Sequence, residues 1–196
     1  MRTLLMAAAA SAFFGTPALA QDVAAPAAAE ATATASAHTD AQLKQFADAM
    51  DKIRDVSAGV QNGQPTPEQQ TAMAAAVEQS GLDVATYNAI ATAVSQDRVL
   101  AARVAVVAAD PSPAGTIGAE ATEAELTSFA AAYDEVRTLS QQIQNGQPTP
   151  EQQAAMAGAV EKSGLAVDRF NAIAGALPND ASLRARVQLA DAQRGA

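Results

Sequence analysis

Apolar residues recur every three or four positions along two stretches of the chain. The first stretch carries Leu43, Phe46, Met50, Ile53, Val56 and Val60. The second carries Leu126, Phe129, Tyr133, Val136, Leu139 and Ile143. This spacing places each set on one face of a helix, with polar residues on the opposite face. The pattern therefore predicts two long amphipathic helices.

The two stretches belong to an internal repeat with a period of 83 residues. Thr39–Val104 aligns without a gap with Thr122–Val187, and 39 of the 66 aligned positions are identical. A gapless match of this length indicates a duplicated structural unit. We predict an all-α fold with two tandem copies of a three-to-four-helix bundle, at 39–108 and 122–196, joined by a linker rich in Pro, Gly and Ser at 109–121.

The sequence QNGQPTPEQQ occurs unchanged in both copies, at 61–70 and 144–153. Asn62-Gly63 is predicted to end helix one, because Gly accepts the left-handed backbone conformation. Thr66 is a predicted N-cap, with Pro67 in the first turn and Gln69 placed to complete a capping box. The motif is therefore interpreted as a corner between two helices, with a recognition loop as the alternative.

Further capping signals divide each copy into three helices and a shorter fourth. In the first copy Thr39 opens helix one, Gly81 ends helix two and Asp97 opens helix four. The equivalent residues of the second copy are Thr122, Gly164 and Asp180. Helix three is expected to bury an apolar face formed by Val84, Tyr87, Ile90, Ala91 and Val94. The end of helix four in the first copy is apolar on all sides, so we expect Val106 and Val107 to lie between the copies.

The N-terminal segment has the features of an export signal. Met1-Arg2 is followed by a short apolar run, and Ala18-Leu19-Ala20 matches the small-residue cleavage pattern. We predict a signal peptide at 1–20, cleaved near Ala20/Gln21, and a disordered Ala-rich tether at 21–38. The run is too short to span a bilayer, and no later segment is long enough, so we expect a periplasmic or secreted protein without a transmembrane span.

Composition excludes several classes of partner and of site. The net charge of −9 argues against nucleic acid and anionic lipid as partners, since both need basic patches. The chain has no Cys and a single His, His38 in the tether, so neither a disulfide framework nor a His-based catalytic triad or metal site is expected. No phosphate-binding loop or nucleophile motif is present. We therefore expect no enzymatic activity and no cofactor.

Seven residues in the two copies are candidates for an interaction. They are Arg54, Arg137, Tyr87, Asn88, Asn171, Arg103 and Arg186. Each also has a structural interpretation. Arg54 and Arg137 are placed to pair with Asp51 and Asp134, one turn earlier on helix one. The two Asn residues are candidates for buried amides that satisfy a loop carbonyl. The helix-four arginines are candidates for a link to a helix C-terminus or a carboxylate.

The first copy resembles a bacterial family known as domain of unknown function 4168. The resemblance is carried by Ser80-Gly81-Leu82, then Tyr87-Asn88-x-Ile90, then Asp97-x-x-Leu100-x-x-Arg103-Val104. It extends over each copy nearly end to end and implies a short, exported, helical protein, but no activity. The second copy differs in having Phe170 at the usual Tyr and Pro178-Asn179 before Asp180.

These features predict an exported, non-enzymatic helical protein of the bacterial cell envelope. Its expected role is that of a structural or binding module, with a protein or peptide held in grooves between amphipathic helices. A periplasmic stress-type holdase chaperone is the alternative, since the Thr-Pro-Glu-Gln helix start is similar to helix starts of small periplasmic stress chaperones. A holdase requires an exposed apolar face, whereas a dedicated module requires one partner.

Overall fold

The computed structural model describes residues 38–60, 64–143 and 147–196, and these residues form helices and connecting segments without any β-strand. The predicted all-α fold is therefore confirmed. The helices are α1 (Asp40–Ala58), α2 (Pro67–Gln79), α3 (Val84–Gln96), α4 (Arg98–Ala108), α5 (Ile117–Glu120), α6 (Glu123–Gln141), α7 (Pro150–Lys162), α8 (Val167–Ala176) and α9 (Ala181–Arg194), with a 3₁₀ turn at Leu177–Asn179 before α9. The predicted signal peptide, and the tether as far as residue 37, lie outside the described residues.

The helix starts follow the capping signals in the sequence. At α2 the amide of Thr66 donates to Gln69 Oε1 (2.8 Å), and the amide of Gln69 donates to Thr66 Oγ1 (3.3 Å). Thr149 and Gln152 make the same two bonds at α7. These bonds satisfy backbone donors that have no partner within the helix. The second half of the repeated decapeptide is thus a helix start, as predicted.

The predicted end of helix one is wrong in its position. Helix α1 ends at Ala58 with Gly59 as its C-cap, and α6 ends at Gln141, so both stop before the Asn-Gly pair. The two helices end at equivalent positions: the amide of Gly59 bonds to the carbonyls of Val56 and Ser57, and the amide of Gln142 bonds to those of Leu139 and Ser140, so a glycine is not what ends them. The Asn-Gly pairs themselves lie outside the described residues.

Each sequence copy has its own hydrophobic core, and the two cores use equivalent positions. The buried residues of the first core are Leu43, Phe46, Ala49, Val77, Leu82, Ile90 and Leu100. Their equivalents, 83 residues later, are all buried in the second core. Most residues of the predicted apolar faces are at least partly buried, but Met50, Tyr133 and Val84 are exposed. Ala49 and Ala132 take the inward position beside Met50 and Tyr133, because their small side chains allow neighbouring helices to approach closely.

The two copies meet where α4 packs against α9. These helices run antiparallel, since Arg98 at the start of α4 lies near Asp191 at the end of α9 (3.8 Å), and Ser112 beyond α4 bonds to Asp180 at the start of α9 (2.9 Å). Their facing residues are mostly Ala, which permits a short distance between helix axes. Val107 packs on the first core, and the location of Val106 and Val107 between the copies stays a prediction. All described residues nevertheless belong to one compact unit.

The predicted linker is partly folded onto the second copy. Helix α5 lies within it, and Ile117 and Ala121 pack into the second core. Gly118 is buried there, and a Cβ at this position would stand 1.9 Å from Asp180 Oδ2.

The prediction of a shorter fourth helix is wrong for the second copy, since α9 has 14 residues and α8 has 10.

Candidate binding surface

An aromatic contact joins helix one to helix three in each copy. The rings of Phe46 on α1 and Tyr87 on α3 have centroids 5.0 Å apart. In the second copy Phe129 on α6 and Phe170 on α8 are 4.9 Å apart. Phe46 and Phe129 are fully buried, whereas Tyr87 is half-buried and burial raises the pKa of its hydroxyl. These distances are typical of stabilising aromatic pairs.

Two large apolar side chains flank each aromatic pair and are open to solvent. Met50 lies one turn after Phe46 on α1 and is 36% exposed, and Val84 lies one turn before Tyr87 on α3 and is 43% exposed. The equivalents in the second copy are Tyr133 (43%) and Val167 (40%). We call Phe46, Met50, Val84 and Tyr87 site 1, and Phe129, Tyr133, Val167 and Phe170 site 2.

The exposed large hydrophobic side chains occur at equivalent positions of the two copies. Within the described part of the chain, every exposed large hydrophobic residue occupies one of these two repeat positions. Met50 and Tyr133 differ in chemistry, yet both are large, apolar and exposed. The repeat thus carries a large, solvent-exposed apolar side chain at the same two positions in both copies.

Four of the seven candidate residues lie on the same helix faces as these side chains. Arg54 follows Met50 by one turn, and Asn88 follows Val84 by one turn. Arg137 and Asn171 hold the equivalent positions beside site 2, and all four are exposed. The interpretation of the two Asn residues as buried amides is therefore wrong. Together with Tyr87, which belongs to site 1, these residues give each site a polar border.

The predicted ion pairs of helix one form in only one copy. Arg54 Nη1 lies 2.6 Å from Asp51 Oδ1, and both side chains are well exposed. In the second copy Asp134 instead pairs with Arg194 at the end of α9, and Arg137 makes no ion pair with the described residues. The approach of α9 to α6 explains the change, because it brings a second guanidinium to the Asp134 carboxylate.

The two helix-four arginines bind within the protein and away from sites 1 and 2. Arg103 donates to Asp40 Oδ1 (2.6 Å) and to the carbonyl of His38 (3.3 Å). Arg186 donates to Glu123 Oε1 (2.8 Å) and to the carbonyls of Gly118 (2.7 Å) and Ala121 (2.6 Å). The link from helix four to a carboxylate is confirmed. Both arginines hold the start of helix one, and His38 at the end of the predicted tether is thereby anchored.

A cross-helix ion pair in the second copy was not predicted. Arg169 on α8 donates to Glu125 through Nε (2.8 Å) and Nη2 (3.2 Å). The Arg169 guanidinium, with the amide of Thr122, lowers the pKa of Glu125 to about 2. The first copy has Gln42 and Thr86 at these two positions. The sequence signal was this paired change from two neutral residues to two opposite charges.

The seam between α4 and α9 contains an open groove of about 320 Å³. Its floor is formed by Ala101, Ala102, Ala105 and Ala192, and its rim by Arg98, Gln188 and Asp191. The groove is shallow, and its two charged residues face each other at 3.8 Å. It offers no converging polar groups that would orient a small molecule.

The described residues include no cluster of three or more His, Asp or Glu side chains with the geometry of a metal site. None of the described helices has both the length and the apolar character needed to cross a bilayer. Sites 1 and 2 themselves present exposed apolar side chains bordered by Arg and Asn.

Comparison with known proteins identifies one related family. Residues 64–104, which include Val84, Tyr87, Asn88 and Arg103, match the model of the domain of unknown function DUF4168. The resemblance noted in the sequence is confirmed for this segment. No curated protein and no solved structure matches the chain.

Proposed function

We propose that this chain is an exported, non-enzymatic module of the bacterial cell envelope that binds protein or peptide segments at sites 1 and 2. The observation that supports this role is the confinement of exposed large hydrophobics to the two equivalent positions beside the aromatic pairs. Exposed Met and Tyr side chains provide much contact area, and Met adapts to partners of different shape. Each pair also contains one fully buried ring, that of Phe46 or Phe129.

The organisation that we propose is two tandem helical bundles, each with one site. Each copy encloses its own core, and the aromatic pair joins that core to the exposed side chains. A repeated site allows one partner to be held at two points, which raises its apparent affinity without any additional contact.

Export and removal of residues 1–20 are part of this proposal and rest on the sequence of the N-terminus. The test is the mass and the first residues of the protein purified from an envelope fraction. A mature chain that begins at Gln21 supports export. An uncleaved chain recovered with the cytoplasmic fraction contradicts it.

The binding role is tested with a double variant, Val84→Lys with Val167→Lys. Both valines are exposed, so a charge placed there removes the apolar surface without disturbing a core. A matched control is Ala72→Lys with Ala155→Lys, an equivalent exposed pair on α2 and α7. After cross-linking in intact cells, we expect the wild type and the control to capture the same partner and the double variant to lose it. Equal capture by all three proteins contradicts the role of these sites.

A holdase chaperone is the second candidate, since exposed apolar side chains on an acidic chain also suit the binding of unfolded clients. A holdase binds a hydrophobic dye and suppresses aggregation of an unrelated client, and it captures many proteins in cells. A dedicated module captures one dominant partner and does not protect unrelated clients. Loss of client protection in the Val84→Lys, Val167→Lys variant assigns the holdase activity to the same surfaces.

A further inference from the structure

We propose that residues 33–37, at the end of the predicted N-terminal tether, dock on α3 and α4 of the first copy, in the place that α5 occupies on the second copy. We call these five residues the strap. The inference concerns how the chain covers its first core, and it does not depend on the proposed binding role. It is carried by a comparison of equivalent contacts in the two copies.

In the second copy α5 covers the corner between α8 and α9. This short helix packs against both of them, with Ile117 on the second core and Gly118 buried. Arg186 on α9 holds it by donating to the carbonyls of Gly118 and Ala121 (2.7 and 2.6 Å). The segment that leads into helix one is therefore part of the fold of the second copy.

The first copy has the apolar surface on which an equivalent segment would rest. In the described part of the chain, α3 packs mainly against α1, α2 and α4, and no further helix covers it as α5 covers α8. Four half-buried residues on α3 and α4 pack on the first core, and we call them the seat: Ala91, Ala93, Val94 and Val107. Their equivalents in the second copy belong to its core or pack on it: Ala174, Ala176, Leu177 and Ala190.

The chain enters helix one through the same contact in both copies. Arg103 on α4 donates to the carbonyl of His38 (3.3 Å) and to Asp40 (2.6 Å). Arg186 makes the equivalent bonds in the second copy. The residues before His38 thus begin at the point that corresponds to the end of α5. Because one end of the strap is already fixed, docking it requires only a few further residues to be ordered.

The composition of the strap suits the seat but predicts weaker packing than that of α5. The strap reads Ala-Thr-Ala-Ser-Ala, and such small side chains allow close approach to an Ala-rich surface. Thr34 replaces Ile117, however, and Ala35 replaces Gly118, where an added Cβ would stand 1.9 Å from a capping carboxylate. The strap also lacks the capping threonine of α5. We therefore expect it to be held less firmly than α5.

The test is amide hydrogen exchange of the purified mature chain, followed residue by residue by NMR. In α5 the amides of Glu120 and Ala121 are bonded within the turn, at 3.1 and 2.9 Å. The equivalent amides belong to Ala37 and His38. We expect these two to exchange several-fold more slowly than an unstructured chain, while tether amides at 27–29 exchange freely. Their protection should be weaker than that of Glu120 and Ala121.

Variants alter the fit of the strap to the seat. Thr34→Ile with Ala35→Gly gives the strap two residues of α5, so we expect slower exchange at residues 37 and 38 and a higher urea midpoint. Thr32→Ile with Ala31→Gly makes the same two changes just outside the strap, and this control should alter neither quantity. Thr34→Asp places a charge against the apolar seat and should abolish the protection, while circular dichroism shows that the helices are retained.

Three results overturn the inference. Free exchange of Ala37 and His38 in the wild type would leave the seat to another molecule. Protection that falls on dilution would mean that a second copy of the chain supplies the strap. Equal effects of the Thr34→Ile, Ala35→Gly pair and of its control would mean that the seat does not recognise the strap. None of these results bears on the binding role, which is tested by capture in cells through Val84 and Val167.

Discussion

The two copies carry their exposed apolar residues at the same positions but differ in some of the ion pairs that join their helices. In the second copy charged pairs join neighbouring helices, Glu125 with Arg169 and Asp134 with Arg194. The first copy has neutral Gln42 and Thr86 where the second has Glu125 and Arg169. The exposed apolar residues occupy the same positions in both. The two cores and the helix-four arginine pairs are shared, so the difference teaches that the copies have diverged mainly in other ion pairs on the helix surfaces.

The second copy is also extended by part of the segment between the copies. Helix α5 and the residue after it cover the core with Ile117 and Ala121, and Arg186 bonds to the carbonyl of Gly118 within α5 and to that of Ala121 just after it. We therefore expect the second copy to be the more resistant to unfolding. Four substitutions test this expectation, beginning with the largest expected effect.

Gly118→Ala is expected to be the most damaging. The added Cβ would lie 1.9 Å from Asp180 Oδ2 and 2.6 Å from Ser112 Oγ. Either these two side chains turn away, which disturbs their mutual hydrogen bond and the cap that Asp180 gives to α9, or α5 must move. Overpacking of this kind costs about 1–3 kcal/mol of the free energy of unfolding, and we expect the upper end. Urea unfolding followed by circular dichroism measures the loss. An unchanged midpoint would show that α5 does not support the second copy.

Arg186→Ala is expected to cost about 2 kcal/mol, because it removes hydrogen bonds from a largely buried guanidinium to Glu123 and to two carbonyls. The same urea measurement applies. Arg186→Lys is the informative companion, since it keeps the charge but cannot reach all three acceptors at once. Full stability in the Lys variant would mean that charge alone holds α9 to the start of α6.

Glu125→Gln gives the second copy the residue found in the first, and it retains the capping amide. We expect a loss of about 1 kcal/mol at pH 7, since the pair with Arg169 is partly exposed. The pKa of Glu125 is lowered from 4.5 to about 2, so its contribution is complete above pH 4.5 and is lost as the pH falls from there toward 2. The stability difference between wild type and variant should shrink over that range. A difference that is constant from pH 7 to pH 2 contradicts the ion pair.

Gly158→Ala should have the smallest effect, and it should be stabilising. Gly158 lies inside α7, a Cβ there meets no atom within 4 Å, and the first copy has Ala75 at this position. Alanine in a helix interior is favoured over glycine by about 0.5–1 kcal/mol. A rise in the urea midpoint is expected. A fall in the urea midpoint would mean that, in the second copy but not in the first, another group occupies the space that the Cβ would fill.

The helices, their starts and most core positions were predictable from the sequence, because capping and helical periodicity are local properties. Thr66, Asp97 and Asp180 cap helices as predicted. The end of α1 was not predictable from Asn62-Gly63, since α1 and α6 both end before the Asn-Gly pair, at equivalent positions that are followed by Gly59 in one copy and Gln142 in the other. The sequence predicts a linker that is separate from both copies, but Ile117 in this linker packs into the second core. This contact is tertiary, so local sequence signals do not reveal it.

The candidate surface was only partly predictable. Periodicity placed Met50, Tyr133 and Val84 on apolar faces, but it did not show that Ala49 and Ala132 occupy the inward positions instead. Periodicity alone therefore assigns the exposed residues of sites 1 and 2 to the core. Arg54 and Asn88 are polar residues found in both copies of the sequence, and the structure places them beside those sites.

Site-specific photo-cross-linking in cells tests the binding surface most directly. A photoreactive residue is placed in turn at Val84, Val167, Ala72 and Ala155, which are all exposed. Cross-links to the same partner from positions 84 and 167, and none from 72 and 155, are the predicted result. Cross-links of equal yield from all four positions, or from the control positions alone, would contradict the claim that each copy binds through the surface beside its aromatic pair.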